Sequence, residues 1–289
     1  SDKGEPVKSP DSKYLAYTKN YNLYIREIAT DKEFQMSYDG CEACYYSTWI
    51  QWSPDSKKIT TNRIRRNTKH YIYFVESSPV DQLQPKLQKR DYLKPGDEMP
   101  IASPCLFNVE QKKQIPVDAS AYQNQYTLDN LSWRKDSRAF TFEFNQRGHQ
   151  RYMVVEVNAE NGNQTVLVDE KADTFFEYSS PNKKIRQDIN DGKEMIWASE
   201  RDGWNHLYLY DNTGKVINQI TKGKWVVRGI EYVDEQNREI IFKASGRNAG
   251  EDPYLIHYYT ISFDGSNMKE LTPETTNHFA YFSSDHKLF

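Results

Sequence analysis

The chain has 289 residues, of which 38 are basic and 41 acidic, so its formal net charge is −3. This near balance argues against a function that needs a strongly basic surface, such as binding nucleic acid or an anionic membrane. No apolar run approaches the ~20 residues that a membrane helix needs. Three cysteines fit neither a disulfide scaffold nor a zinc module well.

Aromatic residues are the unusual part of the composition. They make up 14% of the chain, and it contains 21 tyrosines. Tyrosine packs well on a pleated, half-buried surface and keeps its hydroxyl in water. The composition therefore predicts an all-β protein.

A short phrase recurs along the chain. In each copy, turn-forming residues precede a segment rich in Tyr, Ile, Thr or Phe, which is typical of a turn followed by a strand. The clearest copies are SPDSKYLAY at 9–17, SPDSKKITT at 53–61 and SWRKDSRAF at 132–140. Weaker copies occupy 190–199, 234–245 and 282–289.

A second strand is predicted after every copy of the phrase except the last, and a third strand after the copies at 132–140, 190–199 and 234–245. A second strand rich in aromatic and aliphatic residues comes soon after the first, and a turn such as AENGN or DNTGK leads into a third. Second strands are predicted at 22–28, 70–75, 152–157, 206–211 and 257–263, and third strands at 164–168, 216–221 and 268–272.

The repeat predicts a β-propeller. Units of short antiparallel strands recur at roughly 40–50 residues, which is the period of a four-stranded propeller blade. One blade cannot bury both of its faces alone, so neighbouring blades must stack. We count five blades and the opening strand of a sixth, in a single and partial propeller domain over 1–289. An elongated β-sandwich is the alternative architecture.

A long interval separates the second and third copies of the phrase. The segment 76–131 is rich in Pro, Lys and Gln and is too polar to form a core of its own. We interpret it as an extended connection within one blade, together with the outer strands of that blade.

Several segments resemble a known family. SERDGWNHLYLYD at 199–211, followed by ITKGKWVVRGIEYV at 220–233, is similar to the N-terminal propeller domain of dipeptidyl peptidase IV, in the prolyl oligopeptidase superfamily of serine peptidases. SPDSKYLAYTKNYNLYI and YLKPGDEMPIASPCLFNVE at 92–110 fit the same propeller. FEFNQRGHQRYMVVEVNAENG at 142–162 resembles the bacterial members. The resemblance runs across nearly the whole chain.

This resemblance implies an eight-bladed propeller that caps an α/β-hydrolase domain, the pair removing dipeptides from peptide N-termini, usually after Pro or Ala. The chain departs from that pattern because it has no hydrolase domain and no G-x-S-x-G nucleophile motif. We therefore assign no catalytic residue. We expect a Ser-His-Asp triad downstream of Phe289 in a parent protein, and we interpret both chain ends as fragment boundaries.

The resemblance also implies one substrate-binding residue. In dipeptidyl peptidase IV, paired glutamates on a short propeller helix bind the free amino terminus of the substrate. Counting back from QWSP at 51–54, Glu42 takes the place of one glutamate, and Cys41 or Gly40 takes the place of the other. Glu42 is the predicted amine anchor, through one charge-assisted hydrogen bond instead of two. A solvated loop glutamate is the alternative.

Glu42 lies between Cys41 and Cys44, which have C-x-x-C spacing. A redox role lacks the βαβ context of such pairs, and a zinc site lacks ligands, because only Cys105 and distant histidines remain. Two structural alternatives stay open. The thiols are free in a turn or short helix, or they close a local disulfide in an exported protein.

Two other polar segments have structural explanations. The basic cluster RIRR at 63–66 is expected to form ion pairs or a solvated edge, with contact to a substrate carbonyl as the alternative. In SERDGW at 199–204 we expect a tight turn at Asp202 and Gly203, with Trp204 covering the edge of a blade.

The leading hypothesis is a non-catalytic propeller of a dipeptidyl-peptidase-IV-like serine exopeptidase that gates access to the active site and anchors the peptide N-terminus at Glu42. Its predicted partners are a peptide substrate with a free N-terminus, a C-terminal α/β-hydrolase domain and a second copy of the chain. No cofactor, metal, nucleic acid or membrane insertion is predicted, and relatives imply a periplasmic or secreted location. A stand-alone binding or scaffold propeller is the alternative.

Overall fold

A computed structural model describes residues 4–179 and 184–283. Nearly all of the regular structure in these ranges is β-strand, and there is a single 3-10 turn at Ser120–Tyr122. Within these ranges no helix is long and apolar enough to cross a membrane. The prediction of an all-β protein is confirmed.

The chain forms two compact units. The first unit comprises the described residues up to Trp133 together with 144–147 and 158–163, and the second comprises the other described residues.

Two antiparallel sheets of four or more strands lie within the first unit. The first sheet has strand order β1-β2-β3-β4, and the second has order β11-β10-β7-β5, with β6 also pairing to β7. The strands of the first sheet are β1 (Val7–Lys8), β2 (Tyr14–Lys19), β3 (Asn22–Glu27) and β4 (Glu33–Gln35). Those of the second are β5 (Cys44–Tyr46), β6 (Gln51–Trp52), β7 (Lys58–Arg65), β10 (Ile101–Asn108) and β11 (Lys113–Ile115).

Three further sheets have four strands each, in the simple orders β12-β13-β14-β15, β16-β17-β18-β19 and β20-β21-β22-β23. The strands of the third sheet are β12 (Gln125–Trp133), β13 (Ala139–Gln146), β14 (Arg151–Asn158) and β15 (Gln164–Lys171). Those of the fourth are β16 (Arg186–Ile189), β17 (Glu194–Ser199), β18 (His206–Asp211) and β19 (Val216–Gln219). Those of the fifth are β20 (Val226–Asp234), β21 (Glu239–Ser245), β22 (Ile256–Ser262) and β23 (Lys269–Glu270).

The repeated SPDSK phrase forms the same turn wherever it occurs. In the first copy, the Ser9 hydroxyl donates to the Asp11 carboxylate at 2.7 Å and accepts from the backbone N–H of Tyr14 at 3.0 Å. Ser12 has a φ of 62°, which closes the turn. The second copy repeats this arrangement at Ser53, Asp55 and Ser56. The recurring letters therefore encode one local geometry that starts the next strand.

The sheets bury their faces against one another within each unit. In the first unit, Leu23 and Ile25 of β3 share a core with Ile59 of β7 and Phe107 of β10. Full burial of such a side chain contributes about 1.5–3 kcal/mol. This core joins the first and second sheets.

Strand β17 shows the same arrangement on both faces of one sheet in the second unit. Ile196 and Ala198 point into a core shared with the fifth sheet. Met195 and Trp197 point into another core, shared with β14 and β15. Because successive side chains of a strand face opposite sides, the fourth sheet is covered on both faces, as the blade prediction required.

One predicted strand lies outside its expected sheet. The segment 70–75 forms β8 (Tyr71–Glu76), but among the described residues β8 pairs only with β9 (Lys86–Asp91), in a separate hairpin. The edge of β7 is instead taken by β10, which pairs with it over eight positions. The placement of 70–75 as a blade strand was therefore wrong, because β10 carries more buried side chains than β8 does.

The predicted opening strand of a sixth blade, at 282–289, falls mostly outside the described part of the chain. Residues 284–289 are not described, and Phe282 and Ser283 are not in a strand. The five sheets of four or five strands correspond to the five predicted blades.

Replacement of Gly162 by alanine tests the turn between β14 and β15. Gly162 has a φ of +74°, and an added Cβ atom would lie 1.9 Å from the carbonyl oxygen of Pro116. Left-handed strain alone costs ~1–2 kcal/mol, and the clash with the backbone adds to it. We expect urea denaturation to show a loss of about 3 kcal/mol or more in the free energy of unfolding.

Gly96→Ala is the matched control, because Gly96 lies in the same unit, has a φ of +102° and would place its Cβ atom in open space. Only backbone strain applies there, so we expect a loss of about 1–2 kcal/mol. Equal losses in the two variants would contradict the packing of the Gly162 turn against Pro116.

Candidate functional site

Glu42 lies at the tip of a two-residue turn. The backbones of Cys41 and Cys44 exchange two hydrogen bonds, of 2.7 Å and 3.0 Å, and leave Glu42 and Ala43 between them. Both central residues are exposed, and β5 begins directly afterwards at Cys44. The glutamate is therefore carried by a β-turn, whereas the family resemblance implied a short helix.

The Glu42 side chain makes no hydrogen bond or ion pair with any described residue. The turn beneath it is nevertheless held in place, because the backbone N–H of Arg66 donates to the carbonyl of Ala43 at 2.9 Å. Strand β5 also pairs with the end of β7, with Cys44 opposite Arg65. The site thus presents one carboxylate to solvent from a fixed backbone.

The basic cluster at 63–66 makes contacts within the chain. Arg63 pairs with the Asp39 carboxylate at 3.2 Å, and the Arg66 guanidinium lies 4.7 Å from the centre of the Tyr45 ring. Arg65 is exposed. These contacts fit the expected ion pairs and solvated edge.

Asp39 fixes the segment that leads into the turn. The sequence analysis did not identify this residue. Its carboxylate accepts a hydrogen bond from the Tyr46 hydroxyl at 2.8 Å and pairs with Arg63, while its carbonyl accepts from Arg63 at 3.0 Å. Burial, followed by neighbouring Cys105 and Asp39, raises the pKa of Tyr46 well above its usual value. Asp39 therefore joins the segment before Glu42 to both β5 and β7.

Because Gly40 has no side chain, its backbone lies close to Tyr21 and Asn22. Its backbone N–H donates to the side-chain oxygen of Asn22 at 2.9 Å. A Cβ atom at Gly40 would lie 2.2 Å from the carbonyl oxygen of Tyr21. The Asp-Gly pair at 39–40 was a visible turn signal, but its partners, Asn22 and Arg63, are distant in sequence.

All three cysteines are free thiols. Cys41 is exposed, Cys44 is half-buried and Cys105 is buried, where burial raises the pKa of its thiol to about 12. The structure therefore shows the free-thiol alternative and not the local disulfide. In the described ranges, no group of three or more His, Cys, Asp or Glu side chains is arranged to hold a metal ion.

A buried charge cluster in the second unit was also missed by the sequence analysis. The Glu143 carboxylate, only 5% exposed, accepts from Lys184 at 2.7 Å and from Arg186 at 3.1 Å. Burial alone would raise the pKa of Glu143, but these two cations and the Tyr152 hydroxyl lower it to about 2. Glu143 lies within AFTFEFN, at 139–145, where most neighbours are apolar. The sequence therefore shows no sign that this acid is buried and pairs with cations outside its own sheet.

A cavity of about 650 Å³ adjoins this cluster, with Lys184, Arg186, Glu231 and Lys243 among its lining residues. Each of its three cations has a carboxylate partner, since Lys243 pairs with Glu231 at 2.8 Å. Paired cations offer little to an incoming anion. The arrangement is explained by folding and does not form a candidate anion site.

The tight turn predicted in 199–204 is confirmed. The backbone N–H of Gly203, which has a φ of +92°, donates to the carbonyl of Glu200 at 2.9 Å. Trp204 is 40% exposed. Arg201 pairs with Glu170 at 3.0 Å and lies 4.3 Å from the Tyr208 ring centre. Structural contacts thus account for this segment.

Stacked, four-stranded antiparallel sheets with this strand order define a β-propeller domain. The family described as the dipeptidyl peptidase IV (DPP IV) N-terminal region matches residues 4–289. The chain belongs to this family.

Known relatives agree with this assignment. The "Probable dipeptidyl-aminopeptidase B" of Fusarium vanettenii is 25% identical over 314 aligned residues, which cover 96% of this chain and 33% of that protein. "Dipeptidyl peptidase 4" of Trichophyton tonsurans is 23% identical, over 96% of this chain and 38% of that protein. The chain thus spans about a third of the length of the curated relatives that it matches.

Solved structures show the same fold. The crystal structure of Porphyromonas gingivalis dipeptidyl peptidase 4 matches with a TM-score of 0.71 and 20% identity, and the match covers 97% of this chain and 40% of that one. The predicted family and the predicted propeller fold are therefore confirmed.

Glu143→Gln tests the buried charge cluster. Removing one partner of a buried ion pair costs about 3–5 kcal/mol, so we expect a loss of about 3 kcal/mol at pH 7. The pKa of Glu143 is lower in the folded chain, about 2, than its ordinary 4.5. Its stabilisation is therefore complete above pH 4.5 and is lost as the pH falls towards 2. Urea denaturation at pH 7 and pH 3 measures this change.

Glu194→Gln provides the control, because Glu194 pairs at 2.7 Å with Arg238, whose side chain is 48% exposed. Such a surface pair contributes about 0–1 kcal/mol. The assignment fails if Glu143→Gln costs no more than Glu194→Gln at pH 7, or if the cost does not shrink at pH 3.

Proposed function

We propose that this chain is the non-catalytic propeller domain of a dipeptidyl-peptidase-IV-like serine exopeptidase. The observation that carries the proposal is the family match over 4–289, combined with relatives that are about three times as long. In this proposal the propeller limits which peptides reach the active site, and the acyl-transfer chemistry belongs to a hydrolase domain of the same parent chain.

Glu42 is the proposed anchor for the substrate amino terminus. An ammonium group that leaves water must recover its lost hydration, and a carboxylate does this through a charge-assisted hydrogen bond. Support comes from its exposed position at the tip of the turn and from the contacts of Asp39 and Arg66 that fix the turn. Because Cys41 supplies no second carboxylate, a single acid would hold the amine.

The β8–β9 hairpin is the proposed contact for a second copy of the chain. It exposes a run of apolar side chains, with Tyr73 and Val75 each 63% exposed and Leu87 71% exposed. Exposed apolar patches of this kind mark interaction surfaces. We also propose that the parent protein acts in the periplasm or is secreted.

The coding sequence that follows Phe289 separates this proposal from its alternative. We expect it to encode a G-x-S-x-G motif followed by an Asp and a His, in the order of α/β-hydrolases. A stop codon within a few dozen codons would instead support a stand-alone binding propeller.

The chain over 1–289 is expected to hydrolyse no glycyl-prolyl chromogenic substrate, because its sequence contains no G-x-S-x-G motif. Release of the chromophore by the purified chain, followed by absorbance, measures this. Turnover that persists after further purification and is blocked by a serine-directed inhibitor would overturn the expectation.

Glu42→Gln in the parent enzyme tests the anchor. A hydrogen bond to a charged group contributes about 1.5–3 kcal/mol, so we expect kcat/KM for a free-amine dipeptide substrate to fall about 10- to 100-fold. The effect should lie mainly in KM, and initial-rate kinetics measure it.

Glu110→Gln is the matched control, since Glu110 is also an exposed glutamate of the first unit. We expect it to leave kcat/KM unchanged. Equal effects of the two variants, or an unchanged kcat/KM in Glu42→Gln, would remove Glu42 from the proposed site.

A further inference from the structure

A second cavity, in the first unit, has no role in the proposed function. Its volume is about 420 Å³. It is lined by the segment between β5 and β6, by β6 and β7, and by the middle of β12. Ligand pockets in proteins span about 300–1,000 Å³. The lining residues are Ser47, Trp49, Gln51, Asn62, Leu128, Asp129, Asn130 and Leu131.

Asn62 brings an unsatisfied acceptor to this cavity. Its side-chain oxygen Oδ1 is buried and has no hydrogen-bond partner among the described residues, while its backbone carbonyl accepts from Ser47 at 2.8 Å. A buried acceptor without a donor costs about 1–3 kcal/mol. The terminal torsion of Asn is broad, so rotation about it can turn this oxygen towards a donor that enters the cavity.

Trp49 provides an open aromatic surface at the same place. Trp49 is 80% exposed. Its backbone N–H donates to the Ser47 hydroxyl at 3.1 Å, which fixes the segment that carries it. An exposed indole face attracts a cation within about 6 Å of the ring centre.

The composition of the wall selects the charge of the ligand. Asp129 is the one ionisable side chain among the lining residues, and none of them is basic. Leu128 and Leu131 supply apolar surface for an aliphatic stem. An indole face and an acceptor that lacks a donor, in a wall without a basic residue, together favour a group that is cationic, donates hydrogen bonds and follows an aliphatic chain.

We infer that this cavity binds the side chain of a lysine or arginine in an extended peptide. The ammonium or guanidinium lies against Trp49 and donates to Asn62 Oδ1, and the aliphatic stem packs on Leu128 and Leu131. This site is separate from Glu42, which is assigned the peptide α-amine. The cavity gives the domain a preference for peptides with a basic side chain. Glu42 cannot provide this preference, because it is assigned only the α-amine.

Binding of blocked peptides to the chain tests the inference. The probes are acetyl-Ala-Lys-Ala-amide and its norleucine analogue, which keeps the stem but lacks the ammonium group. Acetylation removes the α-amine, so the Glu42 proposal has no bearing on the result. We expect saturable binding of the lysine peptide, measured by isothermal titration calorimetry, and at least fivefold weaker binding of the norleucine peptide.

Variants locate the binding in this cavity. We expect Trp49→Ala to weaken lysine-peptide binding about fivefold or more, within the range of a cation–π contact, and Asn62→Asp to strengthen it by adding a charge. Trp204→Ala, which removes an exposed tryptophan of the second unit, should have no effect. Thermal unfolding of each variant confirms that it is folded.

Three outcomes would each overturn the inference. The first is the absence of saturable lysine-peptide binding up to about 10 mM, a limit that already corresponds to a very weak complex. The second is equal affinity for the lysine and norleucine peptides. The third is unchanged binding in folded Trp49→Ala, which replaces a side chain at the surface.

Discussion

The structure depends on the burial of both faces of each four-stranded sheet against other sheets. Strand β17 makes this plain, because Ile196 and Trp197, neighbours in sequence, enter different cores on opposite faces. A single sheet of this kind would expose both of these faces to water. The repeated turn matters for the same reason, since it joins two antiparallel strands of one sheet at a comparable point in the repeat, as between β1 and β2 and between β12 and β13.

The candidate site uses this rigid framework in a simple way. The sheets fix β5 and β7, and Asp39 then joins the preceding segment to Tyr46 and Arg63. Functional side chains are commonly carried by loops on a rigid scaffold. Glu42 fits this pattern, as an exposed carboxylate on a short turn that is closed by hydrogen bonds between Cys41 and Cys44 and held by the backbone of Arg66, directly after β7.

The two cavities illustrate how partners decide whether a polar surface can bind a ligand. In the second unit, Lys184 and Arg186 are already neutralised by Glu143. In the first unit, Asn62 retains an acceptor with no donor among the described residues, and Trp49 remains exposed. An unmet hydrogen bond is a stronger indication of a ligand than a concentration of paired charge.

The sequence by itself determined the all-β class, the repeated turn, most strands and the family, because turn chemistry and strand composition act over a few residues. Only the tertiary structure decided the partners of Asp39 and Glu143, the burial of the Asn62 side-chain oxygen without a donor among the described residues, and the pairing of β10 instead of β8 with β7. These contacts join segments that are tens of residues apart. The apolar pattern of a strand determines which of its faces is buried, but it does not identify the distant segment that lies against that face.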